Sequence, residues 1–132
     1  MTNEWEKVEL FGPNRDGEIV RFGVNDSTNV SKGQLMQLVD PRTVSSVVAY
    51  GAAVAGVAAS EKVAGDGDTS IGCQTQGIFE VQCSSATDVG KDIGMAGVNN
   101  RVDVMTVVSG MIIGRALEDA GTDEVINVRL DL

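Results

Sequence analysis

From Ile71 the chain reads IGCQTQGIFEVQC. Its odd positions, Ile71, Cys73, Thr75, Gly77, Phe79, Val81 and Cys83, form one row, and Gln74, Gln76, Glu80 and Gln82 fall in the other. Successive side chains of a strand point to opposite faces, so a period of two sets an apolar row on a core and a polar row toward water. Only Ile78 breaks the polar row. The stretch predicts one long strand bulged or bent at Gly77, or two collinear strands that part there. The closing VINVRLDL alternates as cleanly, with Ile126, Val128, Leu130 and Leu132 opposed to Asn127, Arg129 and Asp131. EIVRFGV, GQLMQLV and RVDVMTVV repeat the pattern, the last after a turn at Asn99 and Asn100. Gly and Asx residues divide these runs at short intervals, which is the punctuation of an all-β chain. The fold class expected is a small β-barrel or β-sandwich-like single domain. Only SSATDVGKDIG, from Ser84 to Gly94, invites one short helix.

Two segments resemble each other. VAGVAAS from Val54 and IIGRALE from Ile112 each carry an apolar pair, a glycine and then an alanine. Each is followed by a turn rich in Gly and Asp and then an alternating strand, so the simplest reading is a repeated β-hairpin. The turns are GDGD, within VAGDGDTSIGC, and AGTDE, from Ala120 to Glu124. The first has the beginning of a calcium loop, with Asp66, Asp68 and Ser70 at alternate positions. Such a loop also needs glycine at its sixth position and a bidentate carboxylate at its twelfth, where this chain has Ile71 and Gly77. A hairpin connection is the expectation, with no metal bound.

Other chemistry is missing for reasons of residue type. The chain has no histidine, which removes the commonest general base and transition-metal ligand. The nearest approach to a phosphate loop, GVAASEKV from Gly56, places Glu61 where glycine is required and Val63 where a hydroxyl is required. Adjacent carboxylates such as Glu118 and Asp119, or Asp123 and Glu124, would point to opposite faces of a strand and could not converge on one atom. Cys73 and Cys83 on one continuous strand would stand roughly 33 Å apart, too far for a disulfide. They read as buried free thiols, in keeping with a reducing cytoplasm. No catalytic residue, no cofactor and no enzymatic activity are expected.

Charge and composition bound the partners. A formal net charge of -9 opposes nucleic-acid phosphate, so nucleic acid is not an expected partner. Residues 43–60 lack charge, but their serines, glycines and alanines are too weakly apolar to predict a membrane span, and MTNEWEKVEL is not the pattern of a secretory signal. With 16 glycines and 4% aromatic residues in 132, the core is built from small side chains, which predicts subunits that share a core. Large side chains concentrate at the start, in Trp5, Val8, Leu10 and Phe11. Residues 1–14 are therefore set apart as an N-terminal arm, with residues 15–132 as the domain. Two readings of the arm stand side by side. Either it is the first strand and fills its own core, or it docks on a neighbour by adding a strand to an open edge, with Trp5 as anchor.

From Gly33 to Leu132 the sequence resembles the tailed-phage capsid decoration proteins, also called head cement proteins. The matching stretches are VAGVAAS, TQGIFEV, VGKDIG, IIGRALE and VINVRLDL. The resemblance implies a β-barrel-like structural virion protein, made in the host cytoplasm. Such a protein assembles as a trimer on the outer surface of the expanded capsid at local three-fold positions and bridges capsomers of the major capsid protein. The arm precedes the matched stretch, and by the separate docking reading of it Trp5, Val8, Leu10 and Phe11 are the expected capsid contacts. The rivals are a phage tail or baseplate β-module and a small calcium-dependent ligand-binding barrel that uses Asp66, Asp68, Asp119 and Asp123.

Overall fold

The computed structural model describes residues 4–10, 19–46, 49–97, 100–106 and 110–132, with the side chains of residues 9 and 10 left out. The described residues form strands joined by turns and contain no helix. In chain order the strands are β1 (Glu6–Leu10), β2 (Ile19–Val24), β3 (Leu35–Asp40), β4 (Thr43–Ser45), β5 (Val54–Ala58) and β6 (Ser70–Gln74). They continue as β7 (Gln76–Gln82), β8 (Asp92–Met95), β9 (Val102–Val104), β10 (Gly114–Ala116) and β11 (Val125–Asp131). In β11 the alternation is realised as expected: Ile126, Val128 and Leu130 are buried, and Arg129 and Asp131 are exposed. All seven β11 residues pair antiparallel with β7, from Val125 opposite Gln82 to Asp131 opposite Gln76.

The strands fall into a closed barrel, β2-β4-β3-β5-β6, and a six-stranded sheet, β1-β7-β11-β10-β8-β9. The alternating run at 71–83 crosses from one to the other. It breaks at Thr75 rather than at Gly77, and its halves enter different sheets. Periodicity could not show this, because each half keeps the same parity while pairing with a different partner. Cys73 and Cys83 therefore lie in separate cores, both as free thiols. The helical turn expected between Ser84 and Gly94 is absent as well. Thr87 exchanges backbone hydrogen bonds with Ala120 at 2.9 and 2.7 Å, and the Gly90 N–H donates to Ala116 at 2.8 Å. Backbone groups of that segment go mostly to distant residues, and a local bond, from the Lys91 N–H to the Asp88 carbonyl at 3.2 Å, makes a single turn.

The repeat is larger than a hairpin. In the first half β2 lies parallel to β4 at Val24 opposite Val44, and in the second β7 meets β9 in a parallel bridge at Cys83 opposite Val102. Ala58 opposite Cys73 in β5 and β6 matches Ala116 opposite Val128 in β10 and β11. Val20 opposite Cys73 then matches Phe79 opposite Val128. The connections agree: Val30 and Lys62 exchange the backbone bonds that Thr87 and Ala120 exchange, and Gly33 donates to Ala58 as Gly90 donates to Ala116. Even the left-handed positions recur, Gly33 and Gly90 at φ 86° and Arg42 and Asn100 at 51° and 59°. Residues 19–74 and 76–131 are thus two copies of one five-stranded unit.

The glycine shared by the repeated motifs has a steric cause. A Cβ on Gly56 would stand 2.6 Å from the Gln74 carbonyl oxygen, and one on Gly114 would collide with that of Arg129. Strands β5 and β10 can approach their hairpin partners closely only because these positions are bare. The two units also share packing. The larger core gathers Phe79, Ile93, Val102, Val128 and Leu130 of the second unit, and Leu35, Val54 and Val57 of the first join it. A smaller core of Val24, Met36, Val44, Ile71 and Cys73 fills the first barrel.

Candidate interaction surfaces

Strand β1 belongs to neither copy of the repeat. It pairs antiparallel with β7, Glu6 opposite Glu80 and Leu10 opposite Gly77, with a bulge between Lys7 and Glu9. Just before it, Trp5 turns into the larger core with 4% of its surface exposed, its ring tilted 56° against Phe79 at a centroid distance of 5.7 Å. The Trp5 N–H donates to the Gly33 carbonyl at 2.7 Å, and the indole Nε1–H donates to the Asn100 carbonyl at 3.1 Å. Asn100 closes the node: its Nδ2 donates to the same Gly33 carbonyl at 3.0 Å, and its Oδ1 accepts the Leu35 N–H at 2.8 Å. One tryptophan and one asparagine so tie β1, the first unit and the second unit together.

In the described part of the arm, β1 pairs with β7 of its own chain and Trp5 packs in its own core. Of the four residues expected to meet a capsid, Trp5 lies inside its own domain, where it cannot anchor elsewhere without unpacking. Val8 stands 54% exposed. The Leu10 side chain and Phe11 lie outside the described residues. Sequence reasoning missed Asn100 as a node. Its signal was an asparagine where the repeat demands a left-handed residue, a conformation asparagine tolerates better than most.

The GDGD connection is organised by a lysine. Lys62 is buried, and its ammonium donates to the Asp66 carboxylate at 2.8 Å, to the Asp26 carboxylate at 3.3 Å, and to the carbonyls of Asp26 and Val63 at 2.9 and 3.3 Å. Burial acts to lower its pKa, but the hydrogen bonds and charges of Asp66 and Asp26 outweigh that, and the pKa lies above the ordinary value. Asp66 is drawn down to about 2, first by Lys62 and then by the N–H of Asp68. The Asp68 N–H donates to Asp66 at 2.9 Å, which forms the turn. In the second unit Ala120 replaces Lys62, and the acidic residues turn to other tasks. Asp119 accepts the Val89 N–H at 2.8 Å, and Asp123 meets Arg101 at 2.5 Å. Among the described residues no group of three or more His, Cys, Asp or Glu side chains could hold a metal ion.

An apolar groove of about 390 Å³ lies where the two units meet, lined by Val20, Phe22, Leu38, Met111 and Leu132 among others. A more polar depression of about 420 Å³ is lined by Arg115, Arg129, Asp92 and Asp131, in which Arg115 stands 3.7 Å from Asp92. Burial pushes the Cys73 thiol up to about 12 and raises that of Cys83, so neither is a ready nucleophile.

No known protein-family model matches the chain, and no curated protein matches it. Among solved structures it is similar to the N base of the head fibre gp8.5 of bacteriophage phi29. The TM-score is 0.57 and the identity 19%, over 86% of this chain and 95% of that one. At that identity the likeness is one of fold, and it runs through both units of the repeat.

Proposed function

We propose that this chain is a structural protein of a phage virion. It binds the outer surface of the expanded capsid, as a trimer at local three-fold positions, and stabilises the shell by bridging capsomers. The observation that carries this reading is the fold shared with a head-fibre base over nearly the whole of both chains. A neighbour named for the head favours a place on the capsid over one in the tail or baseplate. The surface supports it too: the carboxylates of Asp66, Asp123 and Asp119 are engaged by Lys62, Arg101 and the Val89 N–H.

The mechanism is linkage. A ligand that binds one state of a lattice and not the other stabilises that state, and a shell multiplies the gain over many copies. Three binding surfaces on one trimer raise the effective concentration, so each contact can be weak. The test adds purified protein to undecorated expanded shells and follows co-sedimentation together with resistance to heat or chaotrope. Saturable binding with raised resistance is the expected outcome. Shells that bind the protein to saturation and break at the same temperature would refute the bridging role.

A further inference from the structure

The duplication exposes a mismatch between the two units. Residues Ile19–Phe22 of β2 correspond to Ile78–Val81 of β7, and on β7 the edge from Gly77 to Glu80 is covered by β1. On β2 the matching edge carries β4 only at Gly23 and Val24. Among the described residues no strand covers the rest. That edge presents real backbone groups. The Gly23 N–H donates toward β4 and the Val24 N–H toward β6, so by alternation the N–H of Arg21 points away from β6. A second open edge among the described residues is the outer side of β1, one end strand of its sheet; β9 is the other end and is met on its outer side at the Cys83–Val102 bridge. The β2 edge is capped in part, since Arg42 Nε donates to the outward Arg21 carbonyl at 3.3 Å; an incoming strand would displace that side chain, and edges without a partner strand are templates for pairing unless they are blocked.

The charges on the two edges match. Glu6 lies directly opposite Glu80 across β1 and β7, a like-charge cross-strand pair that destabilises the sheet. Arg21, exposed on β2 with its Nη2 donating to Ser70 Oγ at 2.9 Å, occupies in the first unit the position of Glu80 in the second and keeps further guanidinium donors for a partner. Each edge also exposes a large branched apolar residue, Val8 at 54% on β1 and Ile19 at 58% on β2. We propose that β1 of one copy pairs edge to edge with β2 of the next, in the register that sets Arg21 beside Glu6. The contact joins two different surfaces, so it is head to tail, and its repetition gives a ring where the rotation between copies closes. The arm's neighbour is then another subunit, reached by the outer edge of β1 while Trp5 stays in its own core. The proposal takes from the proposed function only that copies associate, and it names the surface by which they do.

Its test uses the full chain without shells, in analytical ultracentrifugation across a concentration series. The wild type is expected to form a discrete multimer that loosens as salt rises, because the charge pair is screened. Arg21→Pro deletes an outward N–H while leaving the ladder to β6, as edge positions allow, and raises the dissociation constant at least about tenfold. Arg21→Glu weakens association similarly, and Glu6→Arg added to it restores the constant to within about threefold of the wild type. Circular dichroism and the melting temperature of each variant report the fold, so the charge-swap pair still decides should the proline variant misfold. A wild-type chain that stays monomeric, or a swap that does not restore association, overturns the interface. Shell protection by a monomeric chain would then leave the shell-stabilising role standing and refute both the trimer and this interface.

Discussion

Replacing Trp5 by alanine separates a core strand from a docking arm. The indole is buried against Phe79, and its Nε1–H bonds to the Asn100 carbonyl. Truncating a buried tryptophan costs about 3–5 kcal/mol in transfer and cavity terms. A domain of this class has about 5–15 kcal/mol in total, so the loss is a large fraction of its stability. At about 4 °C per kcal/mol for a chain of this length, the melting temperature should fall by about 12–20 °C. Trp5→Phe keeps an aromatic ring beside Phe79 and gives up the hydrogen bond, a loss of about 1 kcal/mol. The readout is thermal unfolding by circular dichroism, since the variants lack the only tryptophan. A Trp5→Ala protein melting within about 3 °C of the wild type, under 1 kcal/mol on the same conversion, would refute the placement of Trp5 in its own core.

Three further outcomes are expected. Gly33→Ala and Gly90→Ala carry the same left-handed cost of about 1–2 kcal/mol, but a Cβ at 33 would meet the Trp5 carbonyl oxygen at 2.7 Å whereas at 90 it meets nothing within 4 Å. The first should therefore be the more destabilising by about 1–3 kcal/mol in urea unfolding, and equal losses would argue against the close seat of β1. Asp66 has a folded pKa of about 2 against an ordinary 3.8, so its clamp on Lys62 contributes stability in full above pH 3.8 and loses it as pH falls toward 2. Lys62, shifted upward, holds its contribution below its ordinary 10.5 and loses it only at more alkaline pH. Amide exchange in residues 59–69 should accelerate over that acid range, and in Lys62→Met it should be fast at neutral pH. Cys73 and Cys83, buried with raised pKa values, should resist a thiol reagent at pH 8 and react once urea unfolds the chain.

The sequence by itself determined the class of element and the faces. A period of two in VINVRLDL, with Gly and Asp between such runs, forces strands and turns because only that geometry sends alternate side chains to opposite sides. The matched glycines of VAGVAAS and IIGRALE showed the repeated hairpin, because the same backbone approach needs the same bare position. Sequence also showed that GDGD lacks a calcium ligand set, though the ligand Asp66 does take is a lysine four residues earlier. Only tertiary structure decided that the run at 71–83 divides between two sheets, since parity is the same whichever partner a strand chooses. It also decided that the arm's tryptophan turns inward, through contacts with Gly33 and Asn100 far along the chain. Pairing partners and open edges are relations between distant segments, and a local pattern fixes which way a side chain points without fixing what it meets.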